Sequence, residues 1–136
     1  MRPTERLVLD TSASSHLRAG HSEVLGFVAD AAVVIMPVTV LGELEAGFAL
    51  GSRTEENRRV LAEFLGEPFV NVLTVTTTTV GHYASIFAAL RRAGTPIPIN
   101  DVWIAAETME CNGHLLTFDR DYRHVGGLDH TLLEVS

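Results

Sequence analysis

Short apolar runs alternate with longer helical patterns along this chain, and this alternation restricts the fold more than any other feature. The apolar runs have the length of buried strands, and the longer patterns repeat apolar residues every three or four positions. Strands that alternate with helices form parallel sheets, because parallel neighbours need a crossover connection between them. The sequence therefore predicts an α/β fold, a three-layer α/β/α sandwich with a mostly parallel central sheet.

Four apolar runs predict strands, and a run near the C terminus is a candidate for a fifth. The runs cover residues 7–9, 33–36, 69–75, 114–118 and 131–135. No internal repeat, low-complexity tract or linker interrupts their rhythm. We therefore predict a single domain over residues 1–136.

Six helical patterns separate these runs. One begins directly after the first strand, and the others cover residues 22–31, 39–51, 54–66, 80–94 and 101–111. Thr39, Thr54 and Asn100 are the predicted N-caps of three of these helices, because short polar side chains accept hydrogen bonds from free helix N–H groups. Gly94 is a typical residue just past a helix end.

The size and the cysteine usage indicate which kind of protein this is. A chain of 136 residues can bury a core without disulfides, and its only cysteine, Cys111, has no partner for an internal disulfide. The sequence shows no secretory signal pattern and no apolar run of membrane-spanning length. We therefore expect a cytoplasmic protein that does not bind a membrane.

Acidic residues stand where the predicted strands end or the following helices begin. They are Asp10, Glu43, Asp101, Asp119 and, two residues further on, Asp121. In a parallel sheet the carboxyl ends of the strands share one edge, so these acids are expected to meet. Taken singly, Asp10 or Asp101 could be a plain N-cap, and Glu43 could complement a helix dipole. Capping does not require all of them to converge, and the joint pattern favours a site.

Gathered carboxylates repel one another unless a cation lies among them. Mg²⁺ and Mn²⁺ prefer carboxylate and water oxygens. The six histidines lack zinc-type spacing, and Cys111 is alone. The pattern therefore predicts a Mg²⁺ site in which Mn²⁺ can substitute.

The charge balance does not decide whether the partner is a nucleic acid. A formal charge of −7 opposes binding of a polyphosphate overall. All ten basic residues are arginines, which suit phosphate contacts, and they cluster at residues 53–59, 91–92 and 120–123. The simpler interpretation of each cluster is a solvated helix face or terminus.

Four segments, in this order, resemble the motifs of a PIN domain of the VapC type, the toxin half of bacterial toxin–antitoxin pairs. The segments are LVLDTSA, TVLGELEAG, INDVWIAAE and LLTFDRDY. The resemblance implies a metal site at Asp10, Glu43, Asp101 and Asp119, with Asp121 as a candidate fifth ligand, and small polar supports at Thr11 and Thr117.

The same resemblance implies a Mg²⁺-dependent endoribonuclease that a cognate VapB-type antitoxin inhibits, often as a homodimer. Such an enzyme activates water for in-line attack on an RNA phosphodiester, leaving a 5′-phosphate. Apolar stripes in the segments LGELEAGFALG and RRVLAEFLG could serve both the core and a groove for an antitoxin helix.

Other acid-rich α/β classes fit less well. A response-regulator receiver needs a lysine, which this chain lacks, and a haloacid-dehalogenase-type phosphatase needs an aspartate where Ser12 stands. No dinucleotide or P-loop motif is present. A DNA or housekeeping nuclease of the same fold, and a module that binds RNA or protein without cutting, remain open alternatives.

Overall fold

The computed structural model describes residues 5–135, which form one five-stranded sheet with six helices. The strands are β1 Arg6–Leu9, β2 Val33–Pro37, β3 Val70–Leu73, β4 His114–Thr117 and β5 His130–Leu132. Their order is β3-β2-β1-β4-β5, and every neighbouring pair is parallel. The predicted α/β class and its parallel sheet are confirmed, although β3 is shorter than predicted and β5 begins one residue earlier.

The helices lie on both faces of this sheet. They are α1 Thr11–Arg18, α2 Ser22–Asp30, α3 Val38–Leu50, α4 Thr54–Leu65, α5 Thr77–Ala93 and α6 Ile99–Glu110. The chain runs outward from β1 through β2 to β3 and then crosses back to β4, on the other side of β1. Parallel strands are connected by right-handed crossovers. The helices of the outward path, α1 to α4, therefore lie on one face of the sheet, and α5 and α6 lie on the other. Accordingly, α1 contacts α2 and α3, whereas α5 packs along α6.

Strand order reverses between β1 and β4, which are neighbours in the centre of the sheet. Both strands are almost completely buried, as expected for strands that helices cover on both sides. A crevice forms outside the carboxyl ends of such a strand pair, and α/β proteins bind ligands there. The fold therefore directs attention to the residues that follow Leu9 and Thr117.

Gly113 brings the end of α6 close to β1. A Cβ atom at this position would lie 2.5 Å from Cγ2 of Val8 and 3.0 Å from the sulfur of Cys111. A residue without a side chain is therefore required for β4 to pair with β1 at this point.

None of the three predicted N-caps lies at a cap position, and in two of these helices a proline occupies that position instead. α3 and α6 begin at Val38 and Ile99, directly after Pro37 and Pro98. Each proline has an extended backbone, with ψ of 141° and 143°, so the residue after it is the first with helical geometry. Thr39 and Asn100 therefore lie inside the first turns, with side chains free to contact other elements.

The third predicted cap, Thr54, is the first residue of α4 and follows the cap position, which Arg53 occupies. Its hydroxyl donates to the carbonyl of Phe48 at 2.6 Å, so it connects α4 to α3.

Within residues 5–135, no helix is both long and apolar enough to span a membrane.

Candidate metal centre

Four predicted acids line one open cavity at the carboxyl ends of β1 and β4. The cavity has a volume of about 300 Å³, and its acids are Asp10, Glu43, Asp101 and Asp119. Asp10 follows β1, and Asp119 follows β4 by two residues. Asp101 and Glu43 come from the N-terminal parts of α6 and α3, which reach the same edge. The structure thus brings together residues that lie up to 109 positions apart in the sequence.

Asp10 is the most buried and most constrained of these acids, with an exposure of 3%. Its Oδ1 accepts hydrogen bonds from the Ala13 amide and the Ser12 hydroxyl, both at 2.7 Å, and its Oδ2 accepts one from the hydroxyl of Thr117. Burial raises the pKa of Asp10, while these hydrogen bonds oppose the rise. Asp10 is also the N-cap of α1, so capping and a place in the site are compatible.

Asp101 is half-buried, as are Glu43 and Asp119 in the same cavity. Burial and the nearby Asp119 raise the pKa of Asp101 to about 7. The hydroxyl of Tyr122 donates to Asp101 Oδ1 at 3.3 Å. Burial, and then the charge of Asp101, raise the pKa of this phenol above its usual range, so Tyr122 remains a neutral donor.

Asp119 and Asp121 flank the start of a short 3₁₀ helix, Arg120–His124. The Asp119 amide donates to the Thr117 hydroxyl, and the Asp121 amide donates to Asp119 Oδ1, each at 2.9 Å. One carboxylate oxygen from each of Asp101, Asp119 and Asp121 lies within 4.8 Å of the others. Asp121, the candidate fifth acid, therefore lies at the site.

Glu43 borders the cavity from α3. The Thr11 hydroxyl donates to its Oε1 at 2.5 Å, and the Asn100 amide donates to its Oε2 at 3.4 Å. Thr11 and Thr117, which the family resemblance matches to small polar supports, thus contact Glu43 and Asp10. Both threonines, and Asn100, hold carboxylates in fixed orientations.

Sequence reasoning missed Tyr122, Ser12 and Asn100 as parts of this site. Tyr122 stands three residues after Asp119, the spacing that places two residues on one side of a 3₁₀ turn. That spacing could have indicated it. The Ser12 hydroxyl donates to Asp10 two residues earlier, a local contact of a short polar side chain that the sequence could also have indicated. The contact of Asn100 with Glu43 joins separate elements and has no local signal.

The donor set fits a hard divalent cation. All candidate ligands are carboxylate oxygens, and no salt bridge within residues 5–135 involves any of these five acids. Their repulsion therefore lacks a compensating cation from the described part of the chain, and after burial it is the next cause of the raised pKa of Asp101. Oxygen-only ligands of this kind suit Mg²⁺ or Mn²⁺ better than zinc.

Comparison with known proteins gives one matching family model, that of the PIN domain, over residues 7–128. Ribonuclease VapC4 from Mycobacterium tuberculosis is 33% identical over 85 residues, which are 62% of this chain and 65% of that protein. The aligned region therefore spans slightly less than two thirds of this relative.

Solved structures with similar folds include toxin–antitoxin complexes. VapBC2 from Rickettsia felis, bound to a promoter DNA fragment, matches with a TM-score of 0.82 and 21% identity over 93% of this chain and 98% of that chain. VapBC-5 from Mycobacterium tuberculosis matches with a TM-score of 0.73 and 25% identity, over 96% and 98%. VapC20 from the same organism, a sarcin–ricin loop cleaving toxin, matches with a TM-score of 0.67 and 21% identity, over 95% and 98%.

Proposed function

This chain belongs to the PIN-domain family, and we propose that it is a metal-dependent endoribonuclease, the toxin of a VapBC-type toxin–antitoxin module. The observation that carries the proposal is the convergence of Asp10, Glu43, Asp101 and Asp119 on one cavity without a cationic partner among the described residues. Ribonuclease VapC4 supports the activity, and the VapBC complexes support the biological role.

Asp10, Asp101 and Asp119 would hold the cation, with Asp121 beside them and Glu43 at the border of the cavity. A bound Mg²⁺ or Mn²⁺ supplies charge stabilisation for the phosphate and lowers the pKa of water. The rigid hydrogen bonds to Asp10 and the Tyr122 contact to Asp101 keep these carboxylates in position before substrate binds.

Glu43 is placed to accept the proton of the attacking water, because it lines the cavity and Thr11 fixes its carboxylate. In-line attack on the phosphorus breaks the bond to the 3′ oxygen of the neighbouring nucleotide. The products are a 3′ hydroxyl and a 5′-phosphate.

The arginine clusters differ in their suitability for binding the RNA backbone. Arg53, Arg58 and Arg59 form salt bridges with glutamates of α3 and α4, which assigns that cluster to a solvated helix face. Arg120 and Arg123 are exposed, and they lie one and four residues after Asp119. We assign phosphate contacts to these two residues.

The proposed activity predicts cleavage of single-stranded RNA by the purified protein in Mg²⁺ or Mn²⁺ and loss of cleavage in EDTA. RNA and DNA oligonucleotides of one sequence, analysed on a denaturing gel, provide the measurement and distinguish a DNA nuclease. Cleavage that persists in EDTA would contradict the metal-dependent mechanism. RNA binding without cleavage in either metal would favour the non-cutting module.

An apolar groove beside the acidic cavity fits the predicted antitoxin. It has a volume of about 480 Å³ and lies among α1, α3 and α4, with Leu44, Phe48, Leu61 and Phe64 in its wall. Ser15 lines both the groove and the acidic cavity, so the two cavities adjoin. We therefore propose that a VapB-type antitoxin helix occupies this groove and blocks access to the site.

Co-expression with the neighbouring antitoxin gene should yield a stable complex, and Phe48→Glu should weaken that complex by at least about tenfold. A charge in a desolvated apolar groove costs more than the contact it replaces. Val80→Glu is the matched control, because Val80 on α5 is 50% exposed and lies outside the groove. Equal binding of both variants in size-exclusion chromatography and calorimetry would place the antitoxin elsewhere.

A homodimer and a cytoplasmic location remain predictions. The family resemblance implies the homodimer, and light scattering of the purified protein measures it.

A further inference from the structure

An aromatic cluster of His16, His21 and Phe118 adjoins Ser12, a residue that lines the acidic cavity. The ring of His16 stacks on the ring of Phe118, with 3.9 Å between centroids and 19° between planes. His21 meets these two rings edge-on at 5.5 and 5.2 Å. All three side chains are half-buried, and none has a part in the mechanism above.

Hydrogen bonds fix this aromatic cluster to the acidic site. The Phe118 amide donates to the Ser12 hydroxyl at 3.0 Å, and that hydroxyl donates to Asp10 at 2.7 Å. His16 Nδ1 lies 2.8 Å from the Ser12 carbonyl, which can only accept, so Nδ1 carries the proton. The rings therefore keep a constant position relative to the carboxylates.

Phe118 also lines a separate cavity of about 240 Å³. Its other lining residues are the apolar Leu132, Leu133 and Val135 and two exposed charged residues, Arg120 and Glu134. Because Phe118 directly precedes Asp119, this cavity adjoins the acidic one along the chain. An aromatic ring and a guanidinium that line one cavity offer a stacking surface and a phosphate contact.

We propose that this second cavity binds one base of single-stranded RNA, stacked against Phe118, immediately beside the phosphodiester that is cleaved. Arg120 contacts the adjoining phosphate, and His16 supports the opposite face of the Phe118 ring. The inference rests on the proposed ribonuclease function. Stacking of this kind recognises an unpaired base without strict sequence preference, so it selects single strands over duplexes.

The test uses a cleavable oligoribonucleotide in which single positions are made abasic. At one position beside the cleaved bond, loss of the base should lower kcat/KM about five- to hundredfold, the range that one base–aromatic stack contributes. Phe118→Leu should lower kcat/KM on intact RNA by a similar factor and should cause no further loss on that abasic RNA. Phe118→Tyr should retain activity, and Phe69→Leu, at a ring that is 37% exposed on another part of the fold, is the matched control.

A direct reading of stacking comes from 2-aminopurine at the same position, whose fluorescence should fall on binding to the unaltered protein. Equal kcat/KM for every abasic RNA together with unchanged fluorescence would overturn the proposal even if Phe118→Leu fails to fold. Additive losses from Phe118→Leu and the abasic position would also overturn it. In these cases intact RNA is still cleaved, whereas absence of any cleavage would contradict the proposed function itself.

Discussion

Replacing Asp101 by asparagine should lower RNA cleavage by at least about a hundredfold, since loss of one preorganised charge contact at a reacting phosphate costs this much or more. Asparagine keeps the shape of the side chain and the oxygen that accepts from Tyr122, but it removes the charge. Asp101 contributes one of the three carboxylate oxygens that lie within 4.8 Å of one another. Gel-based rates in Mn²⁺ measure the effect.

The same substitution should change stability in two opposite ways, which thermal melts at about pH 8 with and without Mn²⁺ can separate. Without metal, Asp101→Asn should be more stable than the unaltered protein, because the repulsion from Asp119 is removed. The rise in melting temperature on addition of Mn²⁺ should be smaller for Asp101→Asn than for the unaltered protein. At a metal concentration of roughly a hundred times the dissociation constant, linkage gives the unaltered protein about 2.7 kcal/mol, a shift of several degrees.

Glu56→Gln is the control for these melts, because the Glu56 side chain is 47% exposed on α4 and lies outside the cavity. It should change neither the metal-free melting temperature nor the response to Mn²⁺. An Asp101→Asn protein that is destabilised without metal and still responds fully would show that Asp101 has a structural role only.

Glu107 is a second buried acid, separate from the metal centre. It lies on α6 with an exposure of 0%, and its Oε1 accepts from the hydroxyl of Thr39 at 2.8 Å. Its other carboxylate oxygen, Oε2, is buried without a hydrogen-bond partner. Burial, and to a lesser extent the nearby Glu110, raise the pKa of Glu107 to about 7.

Glu107→Gln should remove a pH dependence of stability that amounts to about 3 kcal/mol. Below about pH 4.5 the Glu107 carboxyl is protonated in both folded and unfolded chains, and above about pH 7 it is ionised in both. Between these values only the folded protein keeps the proton, so the free energy of unfolding falls as the pH rises. Urea unfolding at about pH 5 and about pH 8 measures the loss.

The raised pKa values of Asp10 and Asp101 also make the free energy of unfolding fall as the pH rises. The effect of Glu107 is therefore the difference in free energy of unfolding between the unaltered protein and the variant at each pH. The stability of Glu107→Gln relative to the unaltered protein should be greater at about pH 8 than at about pH 5. Glu67→Gln, at an exposed position, should follow the unaltered protein at both values. A Glu107→Gln curve parallel to that of the unaltered protein would show that Glu107 does not titrate in this window.

Local patterns in the sequence determined the fold class and the place of the acids. Strand and helix periods depend on neighbouring residues, and a parallel sheet requires that the acids after β1 and β4 share one edge. For this reason Asp10, Asp101 and Asp119 could be predicted to converge before any coordinates were known. Helix starts were less predictable, because Thr39 and Asn100 are good caps by residue type, but Pro37 and Pro98 precede them.

Only the tertiary structure decided which acid each threonine holds in place. Thr39 contacts Glu107, Thr11 contacts Glu43 and Thr117 contacts Asp10, across 68, 32 and 107 residues of chain. A threonine hydroxyl can cap a helix, bond to its own backbone or reach a distant carboxylate, and these choices differ little in local energy. The crossing of the elements decides among them, because a buried carboxylate without a donor costs more free energy than any local preference supplies.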